Sequence, residues 1–214
     1  MNPDYARRLA ARLGGLIDGL MAIRTELLTV VALPESVQKK LLGLFTLPVT
    51  GKDARPIEPY HELCNGVRVS FESTASVKLT VAPKSDHSAS PENCLNTLQI
   101  AYAGPGSWLT IEAGLEWSEL ASAERYQLAI YAEPDRFITV RADLRLPLKD
   151  GGFADATFSV FEMEPGLKGT NRSGELKLPD IAGLDTNRKP LLLLFFDTKT
   201  KLAITLNYIN LYFS

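Results

Sequence analysis

Three groups of side chains have the types and spacing to hold a sugar. Tyr208, Asn210 and Tyr212 recur at alternate positions near the C-terminus. Alternate residues of a strand share a face, so two phenol rings and an amide would stand together, with Ile209, Leu211 and Phe213 turned to the core. An aromatic ring offers a surface for the apolar side of a pyranose, and planar polar groups hydrogen-bond its hydroxyls. Arg141, Asp143 and Arg145 alternate in the same way on an earlier run. Trp117 lies beside Glu116 and Glu119 in a short loop or helical turn. Each group has a plainer reading. The tyrosine face could be the outside of a sheet covered by helices, the arginine run a solvated ion-paired face, and Trp117 a lid over one end of the protein. Trp108, which opens a strand after Gly104-Pro105-Gly106, reads as a core anchor.

Other chemistry has less to stand on. His61 and His87 are the only histidines, and neither a His-x-Glu nor a Gly-x-Ser-x-Gly pattern occurs. Asp150, Asp155, Asp180 and Asp185 supply oxygen ligands, yet none falls in an EF-hand spacing, so no metal is expected. Asn171-Arg172-Ser173 matches a glycosylation acceptor and reads as a loop. Cys64 and Cys94 are too few for a disulfide framework and read as separate thiols, with pairing left open. Glu112 and Glu116 are the carboxylates a glycosidase could use, but nothing fixes their separation. The expectation is a protein without cofactor and without catalytic residues.

The elements that must position these groups change rhythm along the chain. Leu9, Leu13, Leu16, Leu20, Ile23, Leu27 and Val30 are spaced four, three, four, three, a heptad seam on a helix running to about Ala32. Such a seam needs a second helix, and homo-oligomerisation through it is expected; a helical hairpin with the next helix is the alternative. Pro34 ends the first helix and starts a second, Glu35 to about Phe45. Residues 50–59, with Gly51, Pro56 and Pro59, read as a linker. From residue 60 the period is two. Val67–Phe71, Val77–Val81, Leu95–Tyr102, Trp108–Ala113, Arg125–Ala132, Phe137–Leu146 and Phe153–Phe161 read as strands, with Gly166–Gly174 a loop. Leu191–Asp197 and Leu202–Phe213 read as a closing hairpin. About nine or ten strands without intervening helices predict a mostly β protein, an antiparallel jelly-roll sandwich over 60–214, preceded by a coiled-coil-like helical segment over 1–49.

The bulk numbers fit. Hydrophobic residues are 45% and charged residues 22% of the 214, ordinary for a globular protein. A net charge of −2 argues against nucleic acid as a partner. No run reaches the roughly 18 apolar residues of a membrane span. No signal-peptide pattern is evident, so a cytoplasmic protein, or one exported within a larger assembly, is expected.

The closing strands resemble a known family. Tyr126-Gln127-Leu128-Ala129-Ile130-Tyr131-Ala132, then Ile138-Thr139-Val140-Arg141-Ala142-Asp143-Leu144, then Leu206-Asn207-Tyr208-Ile209-Asn210-Leu211-Tyr212-Phe213 follow the pattern of the galactose-binding-like β-sandwich used by many carbohydrate-binding modules. The resemblance covers roughly the last 90 residues, and its motifs owe much to alternation. It implies a glycan-binding module. The final strand lacks the acidic residue that many such modules keep near a structural calcium, so calcium is not implied. The sequence therefore predicts a non-enzymatic glycan binder, oligomerised by its helices in the manner of an adhesin or spike. The alternatives are a scaffolding protein that binds protein through the sandwich, and a sugar-active enzyme with carboxylates converging in a cleft.

Overall fold

The computed structural model describes residues 37–50, 54–84, 96–121, 123–166, 169–178, 183–198 and 201–214. They belong to one of two compact units, Glu35–Ser214; the other, Met1–Pro34, carries the expected first helix and its heptad seam and lies outside the described residues. None of the described helices is long and apolar enough to cross a membrane.

Twelve strands among the described residues form two antiparallel six-stranded sheets. In the first, the order is β1 (Arg55–Ile57), β4 (Ser76–Pro83), β5 (Asn96–Ala103), β12 (Leu202–Phe213), β7 (Arg125–Pro134) and β10 (Thr170–Glu175). In the second it is β2 (His61–Cys64), β3 (Val67–Phe71), β6 (Trp108–Gly114), β11 (Leu191–Asp197), β8 (Ile138–Pro147) and β9 (Phe153–Met163). The alternation of the sequence sets which side is buried. Val67, Val69, Ile111 and Val140 from one sheet and Leu98, Ile100, Ile130 and Leu206 from the other enter a single hydrophobic core. A β-sandwich follows, since each sheet can hide its apolar face only against the other.

The structure departs from the sequence expectation in several places. Leu191–Asp197 and Leu202–Phe213 are not a hairpin: β11 pairs with β6 and β8, whereas β12 pairs with β5 and β7, so the chain crosses from one sheet to the other between them. Both strands are central; β11 is apolar from Leu191 to Phe196, and its outer residue Leu193 is buried along with the inner Leu192 and Leu194. The expected linker contains β1, an edge strand whose Pro56 faces Lys78; an edge tolerates the missing N–H. The expected loop Gly166–Gly174 contains most of β10, a polar edge strand on β7.

The second helix forms as α1 (Val37–Gly43), extended by a 3-10 turn, Leu44–Thr46. Its apolar residues Val37, Leu41, Leu44 and Phe45 belong to the same core as the strands. Polar bonds fix it in place. Lys40 Nζ donates to the Gly114 carbonyl at 2.8 Å, and Glu119 Oε1 accepts from the Val37 N–H at 2.8 Å. Between β5 and β6, Gly104 turns with φ +130°, and a Cβ there would lie 2.9 Å from the Ala75 Cα, so the turn admits glycine alone without strain.

Candidate functional site

The outward face of the second sheet concentrates the polar and aromatic groups. Register sets one row across it: Arg68 on β3, Glu112 on β6, Leu193 on β11, Asp143 on β8 and Thr157 on β9. The next row runs Ser70, Thr110, Phe195, Arg141 and Val160. Leu193 is buried yet absent from the sandwich core, consistent with its place on this outer side.

Each carboxylate in the middle of the face lies beneath a guanidinium. Asp143 accepts from Arg141 Nε at 2.9 and 3.1 Å and from Thr157 Oγ1 at 2.7 Å. The Asp143 side chain is 2% exposed and that of Arg141 49%. Glu112 accepts from Arg68 Nε at 2.6 Å and from Thr110 Oγ1 at 3.1 Å, with exposures of 8% and 44% for the Glu112 and Arg68 side chains. Arg145 grips Asp155 with two parallel bonds, Nε at 2.8 Å and Nη2 at 2.7 Å. The Asp155 bond holds the Arg145 guanidinium above its ordinary basicity; burial opposes this, and the charges of Asp155, Glu112 and Asp143 add to it.

Aromatic rings support the same cations. The Arg141 guanidinium lies 4.6 Å from the Phe195 ring centroid. Phe153, an exposed ring, has Arg145 at 5.5 Å and Arg188 at 4.6 Å. At the β2 end, Arg68 lies 5.8 Å from the ring of Tyr60, which also meets Trp108 with centroids 6.3 Å apart. Tyr60 is exposed and holds φ +63°, the left-handed region that a residue with a Cβ enters at a cost of about 1–3 kcal/mol.

The structure thus brings Arg141, Asp143 and Arg145 together with aromatics that the sequence reading had not joined to them. It does not bring Trp117 onto the face. Trp117 begins α2 (Trp117–Ala121), is half-buried, and donates its Nε1–H to the Arg188 carbonyl at 2.8 Å. That bond ties Trp117 to the loop that carries Arg188 over Phe153. Tyr208, Asn210 and Tyr212 lie on the other sheet. Tyr208 is 7% and Asn210 4% exposed, and the Tyr208 ring packs against Phe45 at 6.4 Å and Tyr131 at 5.9 Å. A bulge between Leu206 and Tyr208 shifts the pairing of β12, and Phe45, in the 3-10 turn that extends α1, lies against Tyr208. Only Tyr212 of the three is exposed, so the expected solvent-facing platform does not form. Tyr60 and Phe153 went unseen as site residues. The one signal for Tyr60 was its place just after Pro59, ahead of Trp108 by much sequence but not by space. Among the described residues no group of histidine, cysteine and acidic side chains could hold a metal ion.

Neither a family model nor a curated relative matches the chain. Solved structures do. The family 11 carbohydrate-binding module from Clostridium thermocellum, in complex with a β-1,3-1,4-mixed-linked tetrasaccharide, is similar at TM-score 0.44 and 12% identity, over 74% of this chain and 95% of that one. The C-terminal family 22 carbohydrate-binding module of Clostridium thermocellum Xyn10B gives 0.45 and 9%, over 76% of this chain and 92% of that one. The enzymatically active domain of tailspike protein 4 of bacteriophage CBA120 gives 0.44 and 10%, over 69% of this chain and 19% of that one. Carbohydrate-binding modules are therefore among the structures this chain is similar to, at identities of 9–12%.

Proposed function

We propose that the chain is a non-enzymatic glycan-binding module and that its ligand lies along the outward face of β3, β6, β11 and β8. The observation that carries this is Arg141. Its Nε is anchored on a buried carboxylate and its plane rests on Phe195, while its two Nη groups make no hydrogen bond to a described residue. A donor held this way loses little side-chain entropy on binding. Tyr60 and Trp108 add the ring surface a pyranose needs. Glu112 and Asp143 each already accept a guanidinium, an arrangement that fits anchoring rather than proton transfer.

Oligomerisation through Leu9, Leu13, Leu16, Leu20, Ile23, Leu27 and Val30 completes the proposal. Single protein–sugar contacts are weak, and linked sites raise apparent affinity; an adhesin or spike would use that plan. The test is a glycan array on the intact chain. Binding should appear, weaken with Tyr60→Ala, and survive Tyr212→Ala on the opposite sheet. A blank array removes the glycan reading, and loss with Tyr212→Ala alone moves the site. A single-chain mass by light scattering would remove the oligomer.

A further inference from the structure

We infer that the glycan this face selects is acidic, a polysaccharide bearing carboxylates; the inference rests on glycan binding at this face. The charges are layered. The carboxylates of Glu112 and Asp143 are buried, and the guanidinia of Arg68 and Arg141 lie over them, half-exposed. The layer a ligand meets is therefore cationic, although the protein as a whole carries −2.

Two cations on this face have capacity to spare. Arg141 keeps both Nη groups without a protein acceptor among the described residues. The Arg188 guanidinium lies over Phe153, donates among the described residues only to the Leu148 carbonyl at 3.4 Å, and pairs with no described carboxylate. Arg145 shares Phe153 with Arg188 and sits four residues from Arg141 on β8, about 13 Å along a strand. Cationic points so separated along one strand suit a polymer with repeated negative charge. The exposed carboxylates nearby are Asp155, already gripped by Arg145, Glu62 at the β2 edge opposite Arg68, and Glu162 on β9, one row beyond Arg141 towards the start of β8, so the cationic stretch of the face runs from Arg141 to Arg145 and Arg188. A neutral sugar hydroxyl would replace water on these donors with little gain, whereas a planar carboxylate can take two parallel N–H bonds from a guanidinium.

The experiment is affinity electrophoresis of the intact chain in polygalacturonate, in the same polymer with its carboxylates methyl-esterified, and in dextran sulfate. Retardation is expected in polygalacturonate, falling as salt rises, and absent in the ester. Arg188→Gln, which breaks no ion pair with a described residue but gives up the ring contact with Phe153, should weaken polygalacturonate binding about tenfold while lowering the melting temperature by no more than about 2–4 °C. Arg145→Gln should also weaken it. Equal binding of the ester, or binding on the array confined to neutral glycans, overturns the carboxylate inference and leaves the glycan reading standing. Stronger retardation by dextran sulfate overturns it in favour of unselective charge attraction. A blank array together with no retardation overturns both.

Discussion

The pair Arg141–Asp143 makes a prediction whose sign depends on the layering of the face. Removing the outer member should hurt more than neutralising the inner one. In Arg141→Ala the Asp143 carboxylate, 2% exposed, keeps a single donor, the Thr157 hydroxyl at 2.7 Å. Stranding a fully buried charge costs about 3–5 kcal/mol. Arg141 is 49% exposed, so water reaches the vacated place and the figure falls to about 2–3 kcal/mol. Loss of the contact with Phe195 adds about 0.5–1 kcal/mol. A total of about 3 kcal/mol should lower the melting temperature by roughly 6–12 °C for a domain of this size. Asp143→Asn leaves Arg141 in half-solvated surroundings and costs about 1–2 kcal/mol in charge-assisted bonding. Adding Asp143→Asn to Arg141→Ala removes the stranded charge and should restore about 1 kcal/mol. Urea titration of the three variants, followed by tryptophan fluorescence, reads the order. Arg141→Ala within 0.5 kcal/mol of wild type would mark an ordinary surface pair, and a double variant weaker than Arg141→Ala would refute the layering.

Gly104→Ala should cost about 2–3 kcal/mol, since it combines positive φ with a Cβ 2.9 Å from the Ala75 backbone; Gly151→Ala, with φ +90° and nothing within 4 Å, should cost less. Equal melting temperatures for the two would show that the Ala75 contact is unimportant. Burial, and secondarily the charge of Glu62, pushes the Cys64 thiol up to about 11 from 9.0. Iodoacetamide at pH 8 should therefore label it about a hundredfold more slowly than the unfolded chain, as read by mass spectrometry; equal rates would contradict the burial. Glu116 is held below its ordinary 4.5, first by its hydrogen bond to Lys189, and Glu72 likewise by the Ser107 N–H and hydroxyl. A lowered carboxyl stabilises above the unfolded value and loses that contribution as pH falls through the folded one. The stability gap between wild type and Glu116→Gln should thus be present at pH 6 and shrink towards pH 3 in urea titrations; a constant gap would sink the assignment.

The fold was legible where one face of a strand had to be greasy. Val67–Phe71 matches β3 residue for residue, and β6, β7 and β8 begin within a residue of their expected starts, because period-two burial is written directly in the side chains. The edges were not legible. β1, β2 and β10 bury little, so their residues carry no alternation to read, and their existence follows from neighbours that supply hydrogen bonds. Strand partners were not legible either, which is why two central strands adjacent in sequence passed for a hairpin. At the site, Arg141, Asp143 and Arg145 shared a face by spacing alone. That Phe195, Phe153 and Arg188 join them depends on register across β11 and β9 and on a loop held by Trp117, and spacing within one strand carries none of that. The tyrosine face failed for a related reason: nothing in Leu206–Phe213 announces that Phe45 will lie against Tyr208.

The order of the strands has a consequence for biosynthesis. β11 divides β6 from β8, and β12 divides β5 from β7. Both dividers come at the C-terminal side of everything they join. Until β11 and β12 have left the ribosome, the strands made before them can form only four part-sheets whose greasy faces have no lasting cover. Assembly is then a single late event that depends on distant parts of the chain meeting, the regime in which folding is slow and helpers that shield exposed strands matter most.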